Sequence, residues 1–291
     1  MTVLASLLPV GLAFIMFTLG LKLSIDDFRR VLTHPAPVGL GLAAQTLLLP
    51  LTAFAITVLF GLGPEMAVGL MILAACPGGV SAAMITHLAR GDTCLSITLT
   101  ALTSLLSFVT VPLIVGLSLL YFLGQSAGVG YPLGQGIVGL FLITLMPVAA
   151  GVAVHHAGWL SEGFARVLSA GATVVFLLIV IATFVTEWPS VTRHFAAVGG
   201  AILLLNLVTM ATGATIGVLG RLPAHGRIAL AVECGIQNSA LGITVAVSML
   251  GQPALAVPSV IYAFLMNVTA LTLIVVRQLQ GGRADRQAVS S

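Results

Sequence analysis

Charge is what this chain has least of. Only 7% of its 291 residues are charged, while 59% are hydrophobic. A soluble domain carries about a quarter charged residues, so that class is excluded. Cysteine is scarce too, and Cys76, Cys94 and Cys234 all fall within or at the edge of apolar runs. That placement argues against a disulfide framework, and no Cys/His spacing fits a metal site. The opening MTVLASLLPVGLAFIMF has no basic n-region of a cleaved signal peptide, so the first run is expected to stay as a span. No loop is long enough to hold a separate soluble domain.

What remains is a series of long apolar runs. Nine reach the length needed to cross a bilayer as helices, at about residues 3–22, 36–60, 65–89, 93–123, 136–157, 163–187, 195–220, 225–250 and 255–277. They are continuous rather than alternating, which excludes a β-barrel. The expected fold class is therefore an all-α polytopic membrane protein with nine transmembrane helices. Residues 1–291 are expected to form one transmembrane domain, ending in a cytoplasmic tail at 278–291.

The net charge of +3 leaves no basic patch for nucleic acid once its placement is read. Lys22, Arg29, Arg30, Arg90, Arg166, Arg221, Arg227, Arg277, Arg283 and Arg286 fall on odd-numbered connections, and Arg193 alone on an even one. The positive-inside rule then puts the N-terminus outside and the C-terminus in the cytoplasm of an inner (plasma) membrane.

Two runs are punctuated. The third contains Cys76-Pro77-Gly78-Gly79, and the eighth contains AVECGIQNSALG with Gly235. Proline removes a donor and glycine weakens helix continuity, so Pro77, Gly78, Gly79 and Gly235 are candidate helix breaks. One such kink alone could serve packing. The two, however, occupy matched places: each is third in its group of four spans, each follows a span with a mid-run amide (Gln45, Asn206), and the fifth span inverts the second group. Interrupted helices in inverted repeats point to a transport site near the midplane.

Of the eight acidic residues only Glu233 lies well inside a span; Asp26, Asp27, Glu65, Asp92, Glu162, Glu187 and Asp285 are peripheral. A charge at that depth costs about 2.5–3.5 kcal/mol, and no Lys or Arg lies at comparable depth. Its partner must be a proton, a cation or neutral dipoles. Thr93, Ser96, Thr100, Ser104 and Ser107 recur every three or four residues on one face of the fourth span. Their alternative use is to bond back to their own helix. Gln237 follows Glu233 by one turn. Carboxylate, amide and hydroxyl oxygens together suit a hard cation such as sodium, whereas calcium or magnesium would want more carboxylates. His87 reads as an interfacial residue.

The stretches CPGGVSAAMITHLARGDTCLSITLT (76–100) and ECGIQNSALG (233–242) resemble the bile acid:sodium symporter family, with weaker likeness in LGLKLSIDDF and AAQTLLLP. The resemblance implies a ten-helix inverted-repeat fold in bacterial members, here without the usual first helix. It also implies a core (spans two to four and seven to nine) and a panel (spans one, five and six). Two sodium sites are implied. One would use Gln45, Glu233 and Gln237 side chains with the carbonyls of Cys234 and Ile236. The other would use Ser96, Thr100 and Glu233 with a Ser-Asn pair, where this chain has Ala82 and Ala83. Ser81 lies one position early, about 100° away on a helix, so this site is expected to be incomplete. Asn238 and Asn267 would face the substrate, an organic anion.

The leading expectation is sodium-coupled import of an organic anion, with sodium as coupling ion and no cofactor. The alternative is a proton-coupled or passive carrier, with Glu233 as proton acceptor. An intramembrane hydrolase would need facing aspartates or a Ser/His pair at depth, and the aspartates are peripheral.

Overall fold

The computed structural model describes residues 2–24, 29, 32–124 and 133–290, with 2–5, 133, 162, 197 and 281–290 described as backbone only. Asp26, Asp27 and Arg30 lie outside the described residues, as do the side chains of Glu162, Arg283, Asp285 and Arg286. In order, the helices are α1 (Thr2–Gly20), α2 (Pro35–Leu59), α3 (Pro64–Ala75), α4 (Ala82–Leu88), α5 (Thr93–Leu123), α6 (Gly134–His156), α7 (Glu162–Thr186), α8 (Trp188–Leu219), α9 (Ala224–Gly235), α10 (Ser239–Met249) and α11 (Val257–Ser290). No strand occurs among the described residues, and one isolated β-bridge joins Gly78 and Gln237.

Six helical stretches are long and apolar enough to cross a membrane, including Pro35–Leu59, Thr93–Leu123 and Pro253–Gln280. Three more apolar helices are shorter: Ser6–Gly20, Pro64–Ala75 and Ser239–Met249. Two of these belong to the punctuated runs, which the structure divides into α3–α4 and α9–α10. The sequence reading places a loop between about 187 and 195, but only Glu187 separates α7 from α8. Pro189 fits the first turn of α8, where a missing N–H costs nothing, so the helix begins before the apolar run does. Arg193 is therefore helical. The last helix likewise continues past the apolar run, to Ser290.

The divided helices form the centre of the molecule. Every residue of α3 from Met66 to Ala75 is buried, as is α9 from Ile228 to Gly235 and the whole of α10 to Val247. By contrast α2, α5 and α7 present Leu47, Leu51, Leu113, Leu117, Leu177 and Leu178 outward, as lipid-facing helices would. Irregular backbone is tolerated at membrane depth only inside protein, which fits the burial of the segments that lead into the two breaks. Where α1 meets α6, a Cβ on Gly20 would strike Val148 O and one on Gly151 would strike Phe17 O, so the two backbones touch there.

Asp92 starts α5 by accepting Leu95 N–H at 3.0 Å, and its own N–H donates to His225 O at 2.9 Å. Asp92→Ala is expected to cost ~1 kcal/mol, seen as a lower melting temperature in detergent. Asp92→Asn, also a good cap, should keep most of it.

Candidate functional site

The two broken helices cross. Cys76 and Ile236, the residues just after α3 and α9, are both extended (ψ 149° and 103°). Gly79 N–H donates to Ile236 O at 2.8 Å and Asn238 N–H to Pro77 O at 2.9 Å, which closes the bridge between Gly78 and Gln237. Each broken end thus satisfies the other's main chain, as burial demands. The sequence reading puts the second break at Gly235; α9 instead runs through Gly235, and residues 236–238 form the gap.

Glu233 stands one turn before this crossing and is fully buried. Its Oε1 accepts from Ser96 Oγ at 2.5 Å and Thr100 Oγ1 at 2.7 Å, two hydroxyls one turn apart on α5. Its Oε2 accepts from Gln45 Nε2 at 3.3 Å, and that nitrogen also donates to Glu233 O at 2.5 Å. Gln45 lies in a π-helical turn of α2, Ala44–Leu48, a local widening common at functional positions. Gln237, released from helix by the break, turns back so that Nε2 donates to Cys234 O at 3.0 Å and Glu233 O at 3.4 Å. Every partner of the carboxylate is neutral.

Two acceptors in this cluster have no donor: Gln45 Oε1 and Gln237 Oε1, both buried. A half-turn of either amide would exchange nitrogen for oxygen, since amide orientation follows from the surrounding partners. It would then face carbonyl or carboxylate oxygens with its own oxygen, an arrangement that needs a cation between them or, for Gln45, a proton on Glu233. The donor set of one carboxylate, two amide oxygens, two hydroxyls and main-chain carbonyls therefore fits a hard monovalent cation. No group of three His, Cys, Asp or Glu that could hold a metal occurs among the described residues.

The other expected site residues fall in three groups. Cys234 O belongs to the cluster, but Ile236 O is engaged by Gly79 N–H and keeps one lone pair. Ala82 is fully buried at the start of α4 and Ala83 half-buried, so methyl groups stand at the two positions expected to carry ligands. Ser81 is the N-cap of α4 and makes no capping bond with its side chain. Asn238 caps α10 through Oδ1 with Leu241 N–H at 3.1 Å and leaves Nδ2 without a partner. Asn267 is exposed on α11 and bonds back to Ala263 O, sharing no hydrogen bond with the rest.

The serine/threonine stripe divides. Ser96 and Thr100 turn to Glu233, whereas Ser107 bonds back to Ser104 O at 2.7 Å. His87 is exposed near the end of α4. Gly78 must lack a side chain, because a Cβ there would collide with Glu233 Oε2. Tyr262 is a neighbour of the site that sequence reasoning misses. It lies fully buried within an apolar run, and its hydroxyl donates to Gly235 O at 2.9 Å. A tyrosine in such a run is the only signal that could have drawn notice.

The model of the sodium bile acid symporter family matches residues 9–194. A probable sodium/metabolite cotransporter, BASS2 (chloroplastic), of Oryza sativa subsp. japonica is 30% identical over 276 residues, covering 92% of this chain. The chain spans 63% of that relative's length. An uncharacterized sodium-dependent transporter, YocS, of Bacillus subtilis is 28% identical over 275 residues, covering 94% of this chain and 83% of the relative. The ileal sodium/bile acid cotransporter of Homo sapiens is 26% identical over 255 residues, covering 84% and 69%.

Proposed function

Because the chain belongs to the sodium bile acid symporter family, we propose that it is a secondary transporter, not an enzyme, that couples import of an organic anion to the sodium gradient. The observation that carries this reading is Glu233: a fully buried carboxylate bonded only to neutral groups, beside two amide oxygens without donors. Uncompensated charge at that depth is costly, and a bound cation would remove the cost.

On this reading sodium sits between Glu233, Gln45, Gln237 and the carbonyls at the end of α9. The amides turn their oxygens inward, releasing the carbonyls that their nitrogens hold. The ion thereby favours one arrangement of the crossing, and the anion is bound where that arrangement is complete; coupling follows from differential affinity for one state. No Lys or Arg lies at the depth of Glu233 in any span, so the positive end of a half-helix and the bound ion supply the potential that holds the anion. The nine runs act as nine crossings, with α3–α4 and α9–α10 each counted once. Spans two to four and seven to nine form the core, and one, five and six the panel. The N-terminus is outside and the C-terminus cytoplasmic, in the plasma membrane. Asn238 faces the anion.

The test is the thermal stability of the purified protein in detergent, titrated with sodium or potassium at fixed pH. A rise specific to sodium and following RT ln(1 + [Na+]/Kd) is expected. A second reading, proton coupling through Glu233, is favoured by the methyl groups of Ala82 and Ala83 where further ligands would stand. Stability that follows pH and ignores sodium would replace the first reading with the second. Ala82→Ser combined with Ala83→Asn is expected to steepen the sodium titration by completing a second ion site; an unchanged slope would mean that those positions do not reach an ion.

A further inference from the structure

Four consecutive carbonyls end α9 and its extension, and one of them is held apart. Glu233 O and Cys234 O are held by the glutamine amides, and Ile236 O by the bridge. Gly235 O is drawn toward α8 and α11, helices that supply none of the donors around Glu233. It accepts from Asn206 Nδ2 at 2.7 Å and from Tyr262 OH at 2.9 Å, and Asn206 Nδ2 also donates to the Tyr262 hydroxyl at 3.1 Å. Both side chains are buried, Asn206 completely. In the triangle Asn206 Nδ2 serves both acceptors, and its Oδ1 is left without a donor. Turning that amide over would set oxygen against Gly235 O, so its orientation is forced.

Resting on the sodium-coupled reading above, we propose that Asn206 and Tyr262 are positioning residues that determine which main-chain oxygens meet the cation. The last carbonyls of any helix lack intrahelical partners and can swing. With Gly235 O tied to α8 and α11, the peptide that carries it cannot rotate into the crossing, and Cys234 O is left to face the glutamines. The cation then meets a small, defined set of oxygens, a condition for distinguishing ions by size. Released, Gly235 O adds a mobile oxygen and the cage loses that definition.

The experiment titrates purified wild type, Tyr262→Phe and Asn206→Leu with sodium, lithium and potassium, reading melting temperature with and without each ion. Loss of a residue that orients a ligand typically weakens metal binding 10–100-fold. The sodium midpoint is expected to rise roughly tenfold in each variant, with a shift in the sodium-to-lithium ratio. A cap that only supports the fold would lower every melting temperature alike, with sodium midpoint and ion ratio unchanged, and that result overturns the proposal. The variants act from different helices, so failure of one to fold leaves the other to decide. Absence of any sodium-specific rise in the wild type would instead overturn the sodium reading itself.

Discussion

Replacing Glu233 by glutamine is expected to abolish sodium-specific stabilisation while leaving the sodium-free protein at least as stable as the wild type. At a hundredfold excess over Kd an ion contributes about 2.7 kcal/mol, which a melting curve reads as several degrees. The amide keeps an oxygen for Ser96 and Thr100, which in the wild type donate to Glu233 Oε1. Gln45 can rotate to present its donor-free oxygen to the new amide group. The side-chain hydrogen bonds are thus conserved and the one from Gln45 Nε2 to the main-chain oxygen of residue 233 is given up, while a buried charge that costs about 2.5–3.5 kcal/mol disappears. Sodium-driven uptake should be lost together with the stabilisation. A variant that still responds to sodium as the wild type does would remove Glu233 from the ion site.

Gly78→Ala should produce the other large effect. Its Cβ would overlap Glu233 Oε2, and the carboxylate cannot withdraw without breaking its bonds to Ser96 and Thr100 on α5. Overpacking of this kind costs about 1–3 kcal/mol, and here the strain falls on the carboxylate proposed to bind the ion, so the sodium response should go as well. Gly235→Ala is the informative comparison. There the new methyl meets the side chain of Met210, a flexible residue that can move aside. Its loss of stability should be smaller and its sodium response retained. Equal effects of the two substitutions would mean that the crossing tolerates no Cβ anywhere, and Gly78 would hold no special relation to Glu233.

Much of this protein could be read without coordinates, because a bilayer imposes few and strong rules. Length and hydropathy are enough to mark the runs that become α2, α5 and α6 to within a residue or two, since each must cover the hydrocarbon by itself. The breaks at Pro77–Gly79 and near Gly235 show in composition, as does Glu233, because such residues are rare at depth. Helix extent outside the bilayer was not legible: water no longer imposes an apolar pattern there, so the start of α8 at Trp188 and the continuation of α11 to Ser290 left no trace in hydropathy.

The sequence by itself determined that the chain is helical and membrane-embedded, and that Glu233, Gln45, Gln237, Ser96 and Thr100 are candidates for one polar site. Only tertiary structure decided how they are used. Gln45 lies 188 residues from Glu233 and Ser96 lies 137 away, so their meeting depends on how α2, α5 and α9 pack. Periodicity likewise does not show that a carbonyl at a helix end is held by Tyr262, nor that Gly78 is glycine because a carboxylate oxygen rests against it. Hydropathy reports each residue's depth, which is set locally by the surrounding solvent. The direction of a hydrogen bond is set by whatever packs opposite, and that information is spread over distant parts of the chain.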